Sequence, residues 1–447
     1  LYLGLVFRPK IRKATYEVKT RRINRQFLSV IRIGSLNWSF HDSNPFFHIS
    51  HFNATMNTLQ NAFWHLTALV ILAVTPFTAC TQPNLSEIIK SQSHNYQVVT
   101  VVEGFENPWA MAFLPNGDML VTERPGRLRI VRNGKLLETP VAGVPKVRDG
   151  GQGGLLDLIL HPNFEQNQWV YLSYSKPNAD ASESTTAVIR ARYQDGALTE
   201  VQEIFEAKAW LRGRGHYGCR LAFDKDGYLF ITIGDRQVAP RGDLAAHPAQ
   251  DLMNHQGTVV RLFEDGRIPP DNPYVGRTNA LPEIWSFGHR NAQGLAIHPV
   301  TNQVWLNEHG PQGGDELNLV KPGINYGWPV IGYGVNYGIG TAIHETSKKE
   351  GMQQPMHYWV PSIATSGFLI YTGDAFPAWK GNFFIGGLAG EQLARLTMEG
   401  EKVLKEETLV KDFGRIRDVR QGPDGFIYLA IDSRAGEKTP ILRIEPR

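Results

Sequence analysis

Four segments of the chain carry side chains of the kinds that move protons, hold anions or bind hard cations. Gly215-His-Tyr-Gly-Cys-Arg220 sets a glycine-flanked histidine just ahead of a strand-like run. A histidine can take a hydroxyl proton near neutral pH, and one carboxylate partner fixes its tautomer. Asp235, closing Ile233-Gly-Asp235 at the end of the same hairpin, is placed to be that partner for His216. A solvated loop histidine is the competing reading, and this segment alone does not decide between them.

The second segment is Gly288-His-Arg-Asn-Ala-Gln-Gly294. Arg290 and Asn291 side by side supply a permanent cation and an amide donor, the groups that hold a carbonyl oxygen gaining negative charge. A loop in which they bond their own backbone is the alternative. The third is Glu308-His-Gly-Pro-Gln-Gly-Gly-Asp-Glu316, followed by Asn325-Tyr-Gly-Trp-Pro329. Gly310 and Pro311 offer adjacent carbonyls in a constrained turn, and main-chain oxygens are good calcium ligands. Asp315 and Glu316 are either outer groups of such a site or braces for the loop. The fourth is Gly414-Arg-Ile-Arg-Asp418, where period-2 strand geometry puts Arg415 and Arg417 on one face. Two guanidiniums on one face call for an anion between them, the usual partner being a carboxylate; surface arginines paired with Asp412 and Asp418 are the alternative.

One apparent signal is discarded. Gly213-Arg-Gly-His-Tyr-Gly218 matches GxGxxG, but a dinucleotide fingerprint must follow a strand and open a helix, and the residues after it read strand, turn, strand.

The elements that must position these groups repeat a single phrase from about Tyr96 onward: apolar strand, Gly/Asn/Asp turn, apolar strand. Its clearest copies turn at Asn116-Gly117, Asp226-Gly227 and Asp424-Gly425. Taking Met111, Leu155, Leu221, Leu295, Leu369 and Val419 as markers gives six units. The spacing predicts an all-β, six-bladed β-propeller of four-stranded antiparallel blades, with a large β-sandwich as the alternative. In a propeller, loops at one end of the central channel converge, so residues far apart in sequence can share a site.

Composition agrees with an all-β chain: of 447 residues, 44 are Gly and 27 Pro, rich in turn formers. The formal charge of +3 resides upstream, because residues 1–55 hold nine basic and two acidic residues, leaving 37 basic and 41 acidic in the remainder. The remainder therefore has no net basic balance of the kind that marks a nucleic-acid binder. With only Cys80 and Cys219, a CxxC redox pair and a cysteine-rich zinc site are excluded.

Residues 1–55 are expected to be sequence upstream of the true start. Residues 56–80 read as an export signal, with the apolar run Leu66–Val74 too short to span a bilayer. Its ending, Phe77-Thr-Ala-Cys80, is lipobox-like and admits lipidation of Cys80, plain secretion or an uncleaved anchor. Residues 81–95 are expected to be a linker and 96–447 the propeller, exported to the periplasm.

In combination, Gly288–Gly294, Gly310-Pro-Gln-Gly-Gly-Asp-Glu-Leu-Asn318 with Asn325–Pro329, Arg415-Ile-Arg-Asp418, and Asp149-Gly-Gly-Gln-Gly-Gly-Leu155 make the chain resemble the soluble pyrroloquinoline-quinone (PQQ) glucose and aldose sugar dehydrogenases, from about Asn107 to the C-terminus. The resemblance implies PQQ across the channel mouth and oxidation of aldoses at C1 to the lactone. By it, His216 is the base, Asp235 its orienting acid, and Arg290 and Asn291 hold the quinone oxygens. Gly310 and Pro311 carbonyls bind Ca2+, Arg415 and Arg417 pair with PQQ carboxylates, and Gln152 lines the sugar site. The electrons then go to an acceptor, a quinone or a cytochrome. The family's glucose-active members place a Lys near the fifth blade where this chain has Ile385-Gly-Gly-Leu-Ala-Gly390, which aligns it with the aldose sugar dehydrogenase branch and a broad aldose range. Two further readings are a lactonase-type calcium hydrolase and a non-catalytic propeller scaffold.

Overall fold

The computed structural model describes residues 87–447 and, before them, only three short strands, Gly4–Val6, Tyr16–Lys19 and Val30–Ile31, which pair antiparallel as a small sheet of their own. The export segment, Cys80 and the rest of the upstream residues lie outside the described residues.

Six antiparallel sheets follow in chain order and form the six-bladed propeller that the repeated phrase predicts. Blade 1 comprises Pro108–Phe113, Met119–Glu123, Arg127–Arg132 and Lys135–Leu136. Blade 2 comprises Leu155–Leu160, Trp169–Pro177, Ser184–Gln194 and Ala197–Glu206. Blade 3 comprises Leu221–Phe223, Leu229–Ile233, Thr258–Leu262 and Ile284–Phe287. Blade 4 comprises Ala292–Ile297, Val304–Glu308, Asp315–Val320 and His357–Trp359. Blade 5 comprises Thr365–Ile370, Phe383–Gly387, Gln392–Glu399 and Lys402–Leu409. Blade 6 opens with Arg415–Gln421, Ile427–Asp432 and Lys438–Pro446, and is completed by Asn95–Glu106 and Ile89–Lys90 from the start of the described chain. That last pairing closes the ring with main-chain hydrogen bonds between its two ends.

Burial explains the near-continuous apolar strands. Each blade is sandwiched between two others, so both faces of a strand are covered and the simple in/out alternation is lost. Leu229, Ile231 and Ile233 pack toward blade 2 while Phe230 packs toward blade 4; Met119 and Val121 face blade 6 while Leu120 faces blade 2. The result is one apolar cluster in each of the six seams between neighbouring blades. All six marker residues fall in the first strands of their blades, which neighbour one another around the hub.

The hub itself is ionic. Arg220 donates to Asp418 Oδ1 (2.7 Å) and Asp157 Oδ1 (3.3 Å), and Arg420 bonds the same two carboxylates at 2.8 and 2.7 Å. Asp157 also accepts from Leu221 N and Asp418 from Met111 N, while Arg220 Nε reaches Gln293 O. This network joins blades 1, 2, 3, 4 and 6, and Arg220 rests 4.1 Å over the Trp109 ring. Removing one partner of a buried ion pair strands the other charge in a low-dielectric interior. Arg220→Leu is therefore expected to destabilise the fold by about 3–5 kcal/mol, read as a lower midpoint in denaturant unfolding.

Candidate active site

In an antiparallel blade the first strand begins, and the second ends, at the same end of the propeller. The loops entering the first strands carry Gln152, His216, Arg290 and Asn291, Arg415 opens the first strand of blade 6, and the loops leaving the second strands carry Asp235, His309, Gly310 and Pro311. The topology thus gathers at one channel mouth residues spread over more than half the chain.

The first strands also break register there. In blades 1, 2, 4, 5 and 6 the pairing slips within the first turns of the strand, an irregularity of the sort that re-aims side chains beside sites. The slips turn Trp109, Asp157, Gln293 and Arg417 toward the hub, where Arg417 Nη1 donates to Gln293 Oε1 at 2.9 Å. Arg417 lies within the slip, so strict alternation does not relate it to Arg415. Both guanidiniums nevertheless approach Asp432 Oδ2, at 3.6 Å for Arg417 and 3.8 Å for Arg415. Asp418 is committed to Arg220 and Arg420, so the alternative pairing with Asp412 and Asp418 is not the one formed.

His216 is 5% exposed and adopts φ +46°, a costly conformation for a non-glycine residue that the surroundings must hold. Its Nδ1 lies 2.6 Å from Asp235 Oδ1. A carboxylate can only accept, so the proton sits on Nδ1 and Nε2 carries the lone pair. Asp235 is tied down in turn: Trp328 Nε1 donates to Oδ2 at 2.8 Å and Gln237 N to Oδ1 at 2.8 Å. Gln152 Oε1 accepts from His216 N at 2.8 Å. Gly234 has to be glycine, since a Cβ there would lie 2.3 Å from His216 O and 2.9 Å from Asn291 Oδ1.

Burial pushes the His216 pKa below its ordinary value; Asp235 pulls it back up, while Arg290 and Arg236 push it down. Burial alone would raise the Asp235 carboxyl, but His216 and Arg290 overcome it and hold the group ionised. His309 donates Nε2–H to Thr365 O at 2.6 Å, and burial with the nearby Arg290 and Arg417 cations keeps it well below the usual histidine range. The site therefore presents two uncharged imidazoles beside fixed cations.

Four side chains at this mouth have buried donors without a partner among the described residues: Arg290 Nε, Asn291 Nδ2, Arg415 Nε and Arg417 Nε. Burial pulls the Arg417 pKa down to about 10, with Arg124, Arg220 and Arg415 adding to the effect against Asp432. Buried polar groups are nearly always bonded, so a concentration of orphaned cationic donors marks a place for an anionic, acceptor-rich ligand.

The Gly310 and Pro311 carbonyls accept no hydrogen bond from the described residues. Asp315 braces their loop, accepting from Gly310 N, Ser362 Oγ and Ala364 N. Gly310, Pro311, Glu308, Glu316 and Tyr326 line a cavity of about 20 Å³, room for a single ion or water. The Glu316 carboxyl is pushed up to about 8 by burial and by neighbouring Glu308. Among the described residues no group of three or more His, Cys, Asp or Glu side chains is placed to hold a metal ion, and the free Gly310 and Pro311 carbonyls are the main-chain oxygens that face this cavity.

Trp328, His309, Gln293 and Asp432 escaped the sequence reading as individuals. Trp328 and Gln293 lie inside motifs already singled out, so their neighbours were the available signal; Asp432 carried none, because its partners lie across the sheet.

A closed propeller with a histidine–carboxylate pair and a cluster of unpartnered buried donors, three of them on arginines, at one mouth is a site suited to an anionic cofactor. The glucose/sorbosone dehydrogenase family matches residues 105–443, and the chain belongs to that family. It is 42% identical to the aldose sugar dehydrogenase YliI of Escherichia coli over 81% of this chain and 96% of that one. A crystal structure of a glucose dehydrogenase superposes with a TM-score of 0.73 at 45% identity, covering 78% of this chain and 99% of the other. The PQQ-bound aldose sugar dehydrogenase of Streptomyces coelicolor superposes at 0.63 with 28% identity, covering 79% and 98%.

The Glu316 environment gives a direct test. A carboxyl whose folded pKa lies above its unfolded value favours folding while protonated, and that contribution is lost as pH rises from about 4.5 to about 8. Glu316→Gln should raise the melting temperature of metal-free protein at pH 8 more than at pH 5. Equal shifts at both pH values would contradict the buried-charge account.

Proposed function

We propose that this chain oxidises aldose sugars at C1 to the lactone, using PQQ and Ca2+ bound at the channel mouth. The observation that carries the reading is the set of unpartnered buried donors on Arg290, Asn291, Arg415 and Arg417. PQQ is a flat tricarboxylate with quinone oxygens, and when bound it supplies a hydride-accepting carbonyl. Arg415 and Arg417 suit its carboxylates, Arg290 and Asn291 its quinone oxygens, and the Gly310 and Pro311 carbonyls suit a calcium ion.

The chain's own residues supply the rest. Asp235, fixed by Trp328, orients the His216 ring and supports the positive charge it gains. His216 Nε2 takes the C1 hydroxyl proton as the C1 hydrogen leaves as hydride. Arg290, lying 5.1 Å from the Trp328 ring and braced on His309 O, is held where negative charge develops. Gln152 fixes the His216 backbone and stands at the sugar side. A lactonase-type hydrolase would instead favour carboxylate or amide side chains directly on the metal, and the arginine-rich set here suits an anionic cofactor better. The export signal, periplasmic location and a quinone or cytochrome as electron acceptor complete the proposal.

His216→Gln should bind PQQ and Ca2+ normally and lose about 10²–10⁴-fold in the rate of sugar-dependent PQQ reduction. Normal reduction by that variant in rapid mixing would remove His216 as the base. Arg417→Ala should weaken PQQ binding by roughly ten- to a hundredfold, equivalent to about 1.5–3 kcal/mol for a charged hydrogen bond, with turnover recovering at saturating PQQ. An unchanged PQQ titration would place Arg417 outside the cofactor site.

A further inference from the structure

Arg236, next to the orienting Asp235, is 1% exposed and has no carboxylate within ion-pairing distance among the described residues. Burying a guanidinium without a counter-charge is costly, so its bonds have to be specific. All but one, to Ser184 in blade 2, converge on the segment Gly213–Tyr217. Nη1 donates to Gly215 O, and Nη2 donates to Gly213 O at 2.9 Å and to Ser184 O at 3.3 Å. The guanidinium lies 3.7 Å from the centre of the Tyr217 ring, and Arg236 N donates to His216 O at 3.2 Å. Every residue from Gly215 to Tyr217 is thus held by Arg236. The backbone of both partners is strained, with φ +46° at His216 and +60° at Arg236. Strain of this kind persists only where surrounding bonds over-determine it.

We propose that Arg236 is a positioning residue for the base: it clamps Gly213–Tyr217 so that the His216 ring stays against Asp235 with Nε2 free. The inference rests on the assignment of His216 as the base of sugar oxidation. A lysine cannot reproduce the clamp, because one ammonium does not reach three carbonyls in the plane of a guanidinium. Charged and titratable groups around His216 are Asp235, Arg290, Arg236 and His309. Of these only Asp235 favours the imidazolium, so removing the Arg236 cation shifts His216 toward protonation.

The test compares wild type, Arg236→Met and Arg236→Lys as PQQ- and Ca2+-loaded protein, mixed rapidly with excess aldose across a pH series. Both variants should lose about ten- to a hundredfold in the rate constant for PQQ reduction, with the PQQ titration unchanged. In Arg236→Met the acid limb of the rate profile should move to higher pH, whereas Arg236→Lys, keeping the charge, should leave the limb in place. If the Met variant does not fold, the Lys variant carries the test through its rate loss at an unmoved limb. Wild-type rates in either folded variant would overturn the inference. So would losses that track PQQ binding and melting temperature with no change in the limb, the pattern of a merely structural residue. Wild-type protein that fails to reduce PQQ would defeat the proposed function itself, a separate outcome.

Discussion

The structure depends on the ionic knot at the hub. A propeller's first strands converge on an axis where apolar side chains from six blades would leave a channel, and this chain fills it with Arg220 and Arg420 clasping Asp157 and Asp418. The buried Arg220, Asp157 and Asp418 and the half-buried Arg420 come from blades 2 and 6 and from the loop entering blade 3, so the knot fixes blades that the seams hold only pairwise. Buried ion pairs add little net stability over apolar packing, but they specify one arrangement when every member is bonded. Here that arrangement is the floor of the site: Arg220 bonds Gln293 O and Arg417 O, placing the two segments that face the ligand.

Above the knot the charge balance is left open. Asp157 and Asp418 are used up by Arg220 and Arg420, and Asp432 faces both Arg415 and Arg417 at distances longer than a good hydrogen bond. Desolvation of these cations is then only partly compensated by the protein, since Nε of each is left without a partner among the described residues, and an anionic ligand can supply it. The same field acts on His216, the proposed base. Arg290 and Arg236 oppose Asp235 at His216, so the imidazole stays neutral while keeping its orienting carboxylate.

Much of the architecture was legible because turn chemistry is local. Asn116-Gly117, Asp226-Gly227 and Asp424-Gly425 dictate tight connections whatever surrounds them, and their recurrence defined the blades. The loops holding His216, Arg290 and Gly310 were legible for a related reason, since Gly and Pro around polar residues signal constrained backbone. Closure of blade 6 by Asn95–Glu106 was not legible, because pairing with Lys438–Pro446 joins segments over three hundred residues apart and leaves no periodicity. Neither was the register slip at Arg417, which depends on the partner strand. The nearness of Asp432 to Arg415 was hidden for the same reason: Asp412 and Asp418, the alternative partners, are near in sequence, whereas Asp432 is opposite in the sheet. Trp328 illustrates a third limit, in that its motif was visible but its indole bond to Asp235 spans 93 residues.

The central claim is that this channel mouth binds an anionic quinone and delivers to it the C1 hydrogen of an aldose. It is tested most directly by loading the protein with PQQ and Ca2+, then mixing it anaerobically with an aldose carrying either hydrogen or deuterium at C1. The account predicts one PQQ reduced per chain, with slower reduction of the cofactor by the deuterated sugar. PQQ that fails to bind, or that stays oxidised with saturating aldose, would contradict it.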